Sequence, residues 1–292
     1  MAMLGASGDE QGTGPTVRRM ILGTQLRRLR ERAGLSRTEA GDSIRASDSK
    51  ISRLELGRVG FKERDVTDLL TLYGVTDAEE RDQLLQLAKQ TNLPGWWHRY
   101  NDLMPKWFED YVGLEEAANR IRTYELQFVP GLLQTEDYAR ALASHGDPKM
   151  VTEAVERRVA LRMRRQKLLV GPEAPRLWAV IDESVLHRPL GGAKVLRAQI
   201  DQLLELTALS HIALQVVPYS VSGYHAEGAF TLLSFAEPEL PNIAYIEHLS
   251  GALYLEKLDE IETYSRALDQ LAVVGETPDR SRQLLAKRRA EI

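Results

Sequence analysis

Residues 35–58 read LSRTEAGDSIRASDSKISRLELGR and contain two short helical patterns separated by a tight turn. Ser36 and Glu39 form a Ser-x-x-Glu capping box, which predicts that a short helix begins directly after Ser36. The turn then leads to Ser47, which we predict to be the N-cap of a second helix ending before Gly57. Two short helices joined in this way are typical of a helix-turn-helix, whose second helix fits the major groove of DNA.

The residues before this stretch add a further helix and a local positive charge. Leu22, Leu26 and Leu29 are spaced as one buried helical stripe. We expect the arginines of this helix to face outward: Arg27, Arg28, Arg30 and Arg32. Residues 16–75 carry 13 Lys and Arg against 8 Asp and Glu, whereas the whole chain has a formal net charge of −4. A positive module in an otherwise acidic protein is typical of a surface that binds a polyanion.

The second helix of the pattern supplies the candidate DNA contacts. Ile51 and Leu54 must face the core, so the polar side chains around them face outward. A helix that enters a groove by its N-terminus presents its first turns to the base edges. We therefore predict these base contacts: Asp48, Ser49, Lys50, Ser52 and Arg53. Contacts to the DNA backbone are predicted where helix termini and loops meet phosphates: Ser36, Arg37, Ser47 and Arg58.

The same stretch resembles the helix-turn-helix of Cro and phage-repressor type regulators, the xenobiotic-response-element family, whose Ser-Arg-x-Glu-x-Gly string is matched at residues 52–57. The resemblance implies base reading by Asp48, Ser49 and Arg53, phosphate contacts by Arg37 and Arg58, and a structural role for Glu55. Arg45 stands where a turn glycine is usual in that family. This substitution costs stability if the φ angle of Arg45 is positive.

The hydrophobic pattern divides the chain into segments. We predict a flexible arm at 1–17, a helix-turn-helix domain at 18–90 and a C-terminal domain at 91–292. A second capping box, Thr76 to Glu79, opens the last helix of the first domain. The predicted fold class is a mainly α N-terminal helix-turn-helix domain followed by an α+β C-terminal domain.

Within the C-terminal domain the period of the pattern changes twice. We predict helices over 91–170, where Leu114, Ala117, Ala118 and Ile121 have helical spacing, and again over 259–292. The part between them, 171–258, is predicted to be α+β. Its strands are expected at 176–182, 211–218, 230–235 and 243–247, with a helix at 193–210.

Four strings of this domain resemble the domain of unknown function that many actinobacterial helix-turn-helix regulators carry: WFEDYVGLEEA at 107–117, FVPGLLQTEDYA at 128–139, IDESVL at 181–186 and YIEHLSGALYLE at 245–256. The resemblance implies a developmental or antibiotic-related transcriptional regulator. Such regulators are often paired with a small partner protein encoded nearby and are sometimes described as antitoxin-like.

An aromatic cluster is a candidate ligand or partner surface: Trp96, Trp97, Tyr100, Trp107, Phe108 and Tyr111. Aromatic side chains line ligand pockets and partner grooves, but a core cluster at a domain seam explains them equally well. Glu247 and His248, near Tyr254 and Glu256, are a second candidate, for which hydrogen bonding at a strand end is the alternative explanation.

Several classes of function are excluded or disfavoured. The chain has no Cys, which excludes disulfides, thiol catalysis and thiolate zinc sites and fits the reducing cytoplasm. It has no His-Glu-x-x-His, Gly-x-Ser-x-Gly, Walker or dinucleotide-binding motif, so we expect no catalytic residue, no metal site and no cofactor. No apolar run approaches the roughly 18 residues of a membrane helix, and no signal peptide is recognisable, so we expect a cytoplasmic protein that does not interact with membranes.

The sequence thus predicts a DNA-binding transcriptional regulator that is not an enzyme. We expect a homodimer on a palindromic double-stranded operator, because one recognition helix buries too little surface for tight binding. The C-terminal domain is expected to dimerise and to sense a small-molecule effector or a protein. The alternative is an antitoxin-like protein that sequesters a small partner and binds DNA only for autoregulation.

Overall fold

The computed structural model describes residues 14–146, 151–221, 228–237 and 240–292. Internal contacts divide the chain into two units, the first ending at Gly95 and the second beginning at Trp96. Of the predicted arm at 1–17, residues 1–13 lie outside the described residues, and the first helix already begins at Pro15. No helix within the described ranges is both long and apolar enough to cross a membrane.

The first unit is built, in its described part, from five α-helices. They are α1 (Pro15–Arg32), α2 (Arg37–Ser43), α3 (Asp48–Glu55), α4 (Glu63–Leu72) and α5 (Ala78–Thr91). Leucines of α1 and α4 pack against the inner face of α3 in one hydrophobic core, whose members include Leu22, Leu26, Ile51, Leu54 and Leu69. Because α3 is anchored from beneath, its polar face is turned away from the core.

The helix starts follow the capping residues, with one shift. Ser36 Oγ accepts a hydrogen bond from the Glu39 backbone N–H at 3.2 Å, and the Glu39 carboxylate accepts one from the Ser36 N–H at 2.7 Å. The predicted capping box is therefore confirmed. The prediction that Thr76 caps the fifth helix is wrong. That helix begins one residue later, and the Asp77 carboxylate accepts the Glu80 N–H at 2.7 Å.

The expected outward position of Arg30 is also wrong. The side chain is buried, and its Nε and Nη2 donate to the two carboxylate oxygens of Glu55 at 2.5 and 3.0 Å. Its Nη1 donates to the Leu35 carbonyl at 2.7 Å. The reason is that Glu55 faces the core from α3, and a buried carboxylate needs a counter-charge with matching hydrogen bonds.

The second unit contains a mixed sheet and its covering helices. In chain order its regular elements are α6 (Lys106–Ala117), β1 (Arg120–Glu125), α7 (Glu136–Gly146), α8 (Thr152–Gln166), β2 (Arg176–Asp182), α9 (Ala193–Leu206), β3 (Ile212–Val217), β4 (Phe230–Ser234), β5 (Ile243–His248), β6 (Gly251–Leu255), α10 (Leu258–Val274) and α11 (Pro278–Glu291). Short 3-10 helices lie at Trp96–Leu103, Gly131–Leu133, Lys167–Leu169 and Glu183–Leu186. The predicted fold class, α followed by α+β, is confirmed.

The six strands form one sheet in the order β3-β2-β1-β4-β5-β6. The strands β3, β2 and β1 run parallel, and each further pair from β1 to β6 is antiparallel. One face packs against α10 in a core that includes Tyr124, Val180, Leu232 and Leu268. On the other face, Tyr111 of α6 stacks on Tyr245 of β5 with ring centroids 4.1 Å apart.

Two strands differ from the sequence-based prediction. The segment 91–170 was predicted to be helical throughout, but α6 ends at Ala117 and Ile121 belongs to β1. This strand lies in the middle of the sheet, where Ile121, Thr123 and Tyr124 are all buried, so its burial has no clear alternation. The edge strand β6 was missed because its residues are only partly buried.

Candidate nucleic-acid interface

The turn between α2 and α3 sets the position of α3, which is the predicted recognition helix. Arg45 in this turn has a φ of 54°, the left-handed conformation that glycine adopts most easily. The Ala46 N–H donates to the Gly41 carbonyl at 2.8 Å, which closes the turn. A Cβ atom on Gly41 would lie 2.5 Å from the Ala46 carbonyl oxygen. The two helices therefore approach each other as closely as they do because residue 41 has no side chain.

The start of α3 is capped by a side chain. Ser47 Oγ accepts the backbone N–H of Lys50 at 3.3 Å, so Ser47 is the N-cap predicted from the sequence. Ile51, Leu54 and Glu55 are buried, whereas Ser49 and Arg53 are exposed. Successive residues of a helix are rotated by about 100°, so Ser49 and Arg53 lie opposite the buried face. They form the outermost part of the recognition helix.

Arg53 and Ser49 are also in direct contact. Arg53 Nε donates to the Ser49 carbonyl at 3.3 Å, one helical turn away. This contact leaves the guanidinium on the exposed face of α3, where it is able to reach a base edge. A guanidinium in this position is suited to the N7 and O6 acceptors of guanine.

Arg37 lies nearer to the recognition helix than the sequence indicated. It was predicted to contact phosphate from the start of α2, and it is exposed there. Its Nε is 3.1 Å from the Asp48 carboxylate, and its Nη1 donates to Ser52 Oγ at 3.4 Å. The structure thus brings one predicted phosphate contact together with two predicted base contacts. The guanidinium also offsets the negative charge of Asp48 on this candidate DNA-binding surface.

Lys50 is directed away from this group. Its Nζ donates to the Asp65 carboxylate of α4 at 2.8 Å, and both side chains are largely covered. Sequence reasoning missed this pairing, because partners 15 residues apart on different helices produce no periodic signal. A base contact by Lys50 would first require the ion pair to break.

The remaining predicted contacts surround α3. Ser36 and Ser47 are exposed, but their hydroxyl groups serve as helix caps. Arg58 follows Gly57 beyond the end of α3 and is exposed. Arg45, which was not among the predicted contacts, adds an exposed cation in the turn between the helices. The positively charged groups therefore flank the recognition helix at the turn before it and the loop after it.

A buried ion pair fixes this surface to the rest of the unit. The contacts of Arg30 join α1, α3 and the segment before α2. The hydrogen bond with Glu55 raises the pKa of Arg30 above its ordinary value, and Arg30 remains charged over any practical pH range. The orientation of α3 thus depends on a charge pair that is buried beneath its exposed face.

The two candidate surfaces of the second unit differ in their exposure to solvent. Trp97, Tyr100 and Tyr111 are each 6–7% exposed, so the aromatic cluster is mainly a core; Trp96, Trp107 and Phe108 are partly buried at its margin. Trp96 Nε1 donates to the Glu116 carboxylate at 2.7 Å. Of the alternatives that the sequence left open, the core explanation fits these side chains.

The second candidate, at the end of β5, remains accessible. Glu247 and His248 are exposed, and Tyr245 donates its hydroxyl hydrogen to the Glu247 carboxylate at 2.9 Å. Tyr254 is engaged elsewhere, because its hydroxyl bonds to the Trp107 carbonyl. Glu247 is therefore linked through Tyr245 to the stacked aromatic rings beneath it, whereas His248 lies at the turn into β6.

Comparison with known families covers both units. Residues 21–84 match the model of a helix-turn-helix domain, the kind of domain with which regulators bind DNA. Residues 108–287 match the model described as a domain of unknown function, DUF5753. No curated protein and no solved structure matches the chain.

Proposed function

Since the chain belongs to the DUF5753 family and carries a helix-turn-helix domain, we propose that it is a sequence-specific transcriptional regulator of the Cro and phage-repressor type. The observation that carries the proposal is the outer face of α3, where Ser49 and Arg53 are exposed on a helix that is capped, closely packed and anchored by Glu55. A rigid helix with a polar outer face and flanking cations fits the major groove.

We assign distinct roles to the residues of this surface. Arg53 reads guanine, and Ser49 contacts the neighbouring base edge. Asp48 and Ser52 act together with Arg37, which holds both of them. Arg45 and Arg58 contact phosphates on either side of the groove, a role supported by their exposure before and after α3. Lys50 has a positioning role through Asp65.

The second unit supplies the functions that a single recognition helix lacks. A dimer that reads two half-sites gains the buried surface that specific affinity requires, and we assign the dimer contacts to this unit. The same unit senses a small-molecule effector or a small partner protein. Its exposed polar residues Glu247 and His248 support such a role, because they lie beside an ordered aromatic cluster.

Selection from randomised DNA duplexes tests the proposal directly. The full-length protein is incubated with the duplexes at near-physiological salt, and the bound DNA is sequenced. We expect an inverted repeat with half-sites about 10 bp apart. The Arg53→Ala variant should bind this site about 1–3 kcal/mol more weakly and lose preference at one base position.

Arg58→Ala is the matched control, because Arg58 is assigned a phosphate contact, which does not depend on the base sequence. It should weaken binding to all duplexes alike and reduce the slope of log affinity against log salt by about one. If Arg53→Ala behaves in the same way as Arg58→Ala, the assignment of α3 as the reading helix is wrong. If the wild-type protein enriches no sequence, DNA reading is not its principal function, and the antitoxin-like alternative gains support.

A further inference from the structure

A row of polar side chains crosses the sheet of the second unit on the face covered by α6. Thr123 Oγ1 lies 3.0 Å from Thr231 Oγ1, and Thr231 is paired in register with Tyr245. These three residues thus mark one row across β1, β4 and β5. Strand side chains alternate between faces, so the residues two positions further along return to the same face.

The next row contains two carboxyl groups and a gap between them. Glu125 lies two residues after Thr123 in β1, and Glu247 lies two residues after Tyr245 in β5, so both side chains return to this face. The antiparallel register sets Ala229, which immediately precedes β4, between them. The two glutamates are separated by one strand, or about 10 Å between their backbones. At the centre of this row, Ala229 contributes only a methyl group.

A guanidinium lies above this row. Arg165 of α8 forms a buried ion pair with Glu115 of α6, with two N–O distances of 2.7 Å. Arg162 precedes it by three residues and so shares its face of the helix. Arg162 Nη1 donates to the Gln134 side-chain oxygen at 2.7 Å. Within the described part of the chain, its other N–H groups donate no hydrogen bond, and they are not among the fully enclosed atoms.

Glu125 has no hydrogen-bonding partner among the described residues. Its carboxyl group forms no hydrogen bond or ion pair with any described residue, and the side chain retains part of its accessible surface. Burial and, to a smaller extent, the nearby Glu247 raise the pKa of Glu125 to about 8, while Arg162 acts in the opposite direction. Burial also lowers the pKa of Arg162 to about 10.

Several other groups contribute to the field around these side chains. The titratable or charged residues on the elements packed around Glu125 are Glu247 and Tyr245 of β5, Arg162 and Arg165 of α8, Glu115 and Tyr111 of α6, Tyr138 of α7, and Arg188 beyond β2. Glu115 is already paired with Arg165, and Tyr245 with Glu247. Among the described residues of the strands, α6 and α8, this leaves Glu125 and Arg162 as the acidic and the basic group whose hydrogen-bonding capacity is not used up. Arg188 lies outside these elements and is exposed to solvent.

We propose that the polar recess, defined by Glu125, Ala229, Glu247 and Arg162, binds a small zwitterion with a protonated amine and a carboxylate. The amine donates hydrogen bonds to Glu125 and Glu247, and the carboxylate accepts them from the free N–H groups of Arg162. A diamine would leave the guanidinium unsatisfied, and a dicarboxylate would meet the two glutamates. The zwitterion is the class that pairs with both kinds of group.

The zwitterion is the effector class of the second unit. That it regulates DNA binding rests on the function proposed above. Binding itself does not involve DNA. The two proposals therefore fail separately: selection from randomised duplexes is done without the compound, and compound binding is measured without DNA.

Calorimetric titration of the full-length protein at pH 7 with matched compounds tests the recess. The probes are the ω-amino carboxylates from glycine to 6-aminohexanoate, each compared with the diamine and the dicarboxylate of similar length. At least one amino carboxylate should bind about tenfold more tightly than both of its comparison compounds, since each charged hydrogen bond it adds has a strength of this order.

Proton release provides a second readout. Glu125 is largely protonated at pH 7 in the empty recess, and a bound amine favours the ionised form. Binding should therefore release up to one proton, measured as a heat that varies with the ionisation enthalpy of the buffer. A metabolite bound elsewhere on the surface would not produce this dependence on Glu125.

Three variants complete the test. Glu125→Gln resembles the protonated carboxyl, so the fold should persist while affinity falls about tenfold and proton release disappears. Arg162→Gln should lower the affinity for the amino carboxylate but not for the diamine. Glu262→Gln, an exposed change on α10, should alter nothing. The proposal is overturned if no amino carboxylate binds at about 10 mM, if the diamine or dicarboxylate binds equally well, or if Glu125→Gln binds normally.

Discussion

At the scale of single residues, the ion pair between Arg30 and Glu55 is the most consequential contact of the first unit. Arg30 is 8% exposed and Glu55 is 7% exposed, and each satisfies the charge of the other. A buried ion pair contributes little compared with a well-packed apolar pair, but removal of one partner leaves a buried charge alone. The ion pair therefore matters mainly for the position of α3, since Arg30 and Glu55 both lie in the core.

Glu55→Ala should lower the free energy of unfolding by about 3–5 kcal/mol, because the Arg30 guanidinium remains buried without its carboxylate. Urea denaturation of the full chain measures this loss. The control is Asp68→Ala, which removes a solvent-accessible partner of Arg64 at 3.8 Å and should cost about 0–1 kcal/mol. Equal effects of the two variants would contradict the structural role of the buried pair.

Glu125 predicts a dependence of stability on pH. Its pKa in the folded protein is about 8, above that of an unfolded glutamate, so the folded state binds the extra proton. The tighter binding of this proton contributes to the free energy of unfolding. This contribution is fully present below about pH 4 and is lost as the pH rises through 8.

The free energy of unfolding of the wild-type protein should therefore fall between pH 5 and 8 relative to Glu125→Gln, by at most about 1.4 kcal/mol per pH unit. Denaturation curves of both proteins across this range provide the comparison. Parallel pH profiles would show that Glu125 titrates as an ordinary exposed carboxyl.

At the scale of elements, the helix-turn-helix combines favourable local signals with one strained residue. Its two N-caps and the core positions Ile51 and Leu54 are as the sequence predicts. Arg45 is the unfavourable residue, because a residue with a side chain is less stable than glycine at a φ of 54°. The surrounding caps and packing hold the turn in this conformation.

Arg45→Gly should raise the free energy of unfolding by about 1 kcal/mol, since glycine accepts positive φ without the steric cost. Arg45→Ala is the matched control: it removes the same cation but keeps a Cβ atom, so stability should remain within about 0.5 kcal/mol. Both variants should bind DNA more weakly if Arg45 contacts phosphate. A stabilisation shared by both variants would exclude backbone strain as its cause.

At the scale of the whole molecule, the sheet of the second unit has two unlike edges. The outer edge of β3 is covered, because the Val216 N–H donates to Ser281 Oγ at 2.9 Å and the Val216 carbonyl accepts the Glu276 N–H at 2.8 Å. The opposite edge is β6, where Leu253 is 50% exposed. The second unit thus offers accessible surface to a partner at one side of the sheet.

The proposed dimer predicts a measurable mass. Light scattering of the full-length protein at micromolar concentration should give twice the 32.9 kDa of one chain. Two-fold symmetry then requires an operator with two equivalent half-sites, so the mass and the selected DNA should agree. A mass of one chain at this concentration, together with an operator that has a single half-site, would contradict the dimer.

The sequence by itself determined the features that depend on neighbours along the chain. Ser36, Glu39 and Ser47 are capping residues whose partners lie three positions away, so the two helices of the motif could be predicted before any tertiary contact was known. The strands predicted at 176–182, 211–218, 230–235 and 243–247 became β2 to β5 for the same reason, since alternating or continuous apolar runs are local signals.

Only the tertiary structure decided which distant residues meet. Arg30 and Glu55 are 25 residues apart, Lys50 and Asp65 are 15 apart, and Glu125 and Glu247 share a face only because β4 lies between their strands. Likewise, β1 became a strand because β2 and β4 enclose it on both sides. The physical reason is that burial and charge pairing depend on three-dimensional proximity, whereas helix caps and hydrophobic periods depend on distance along the chain.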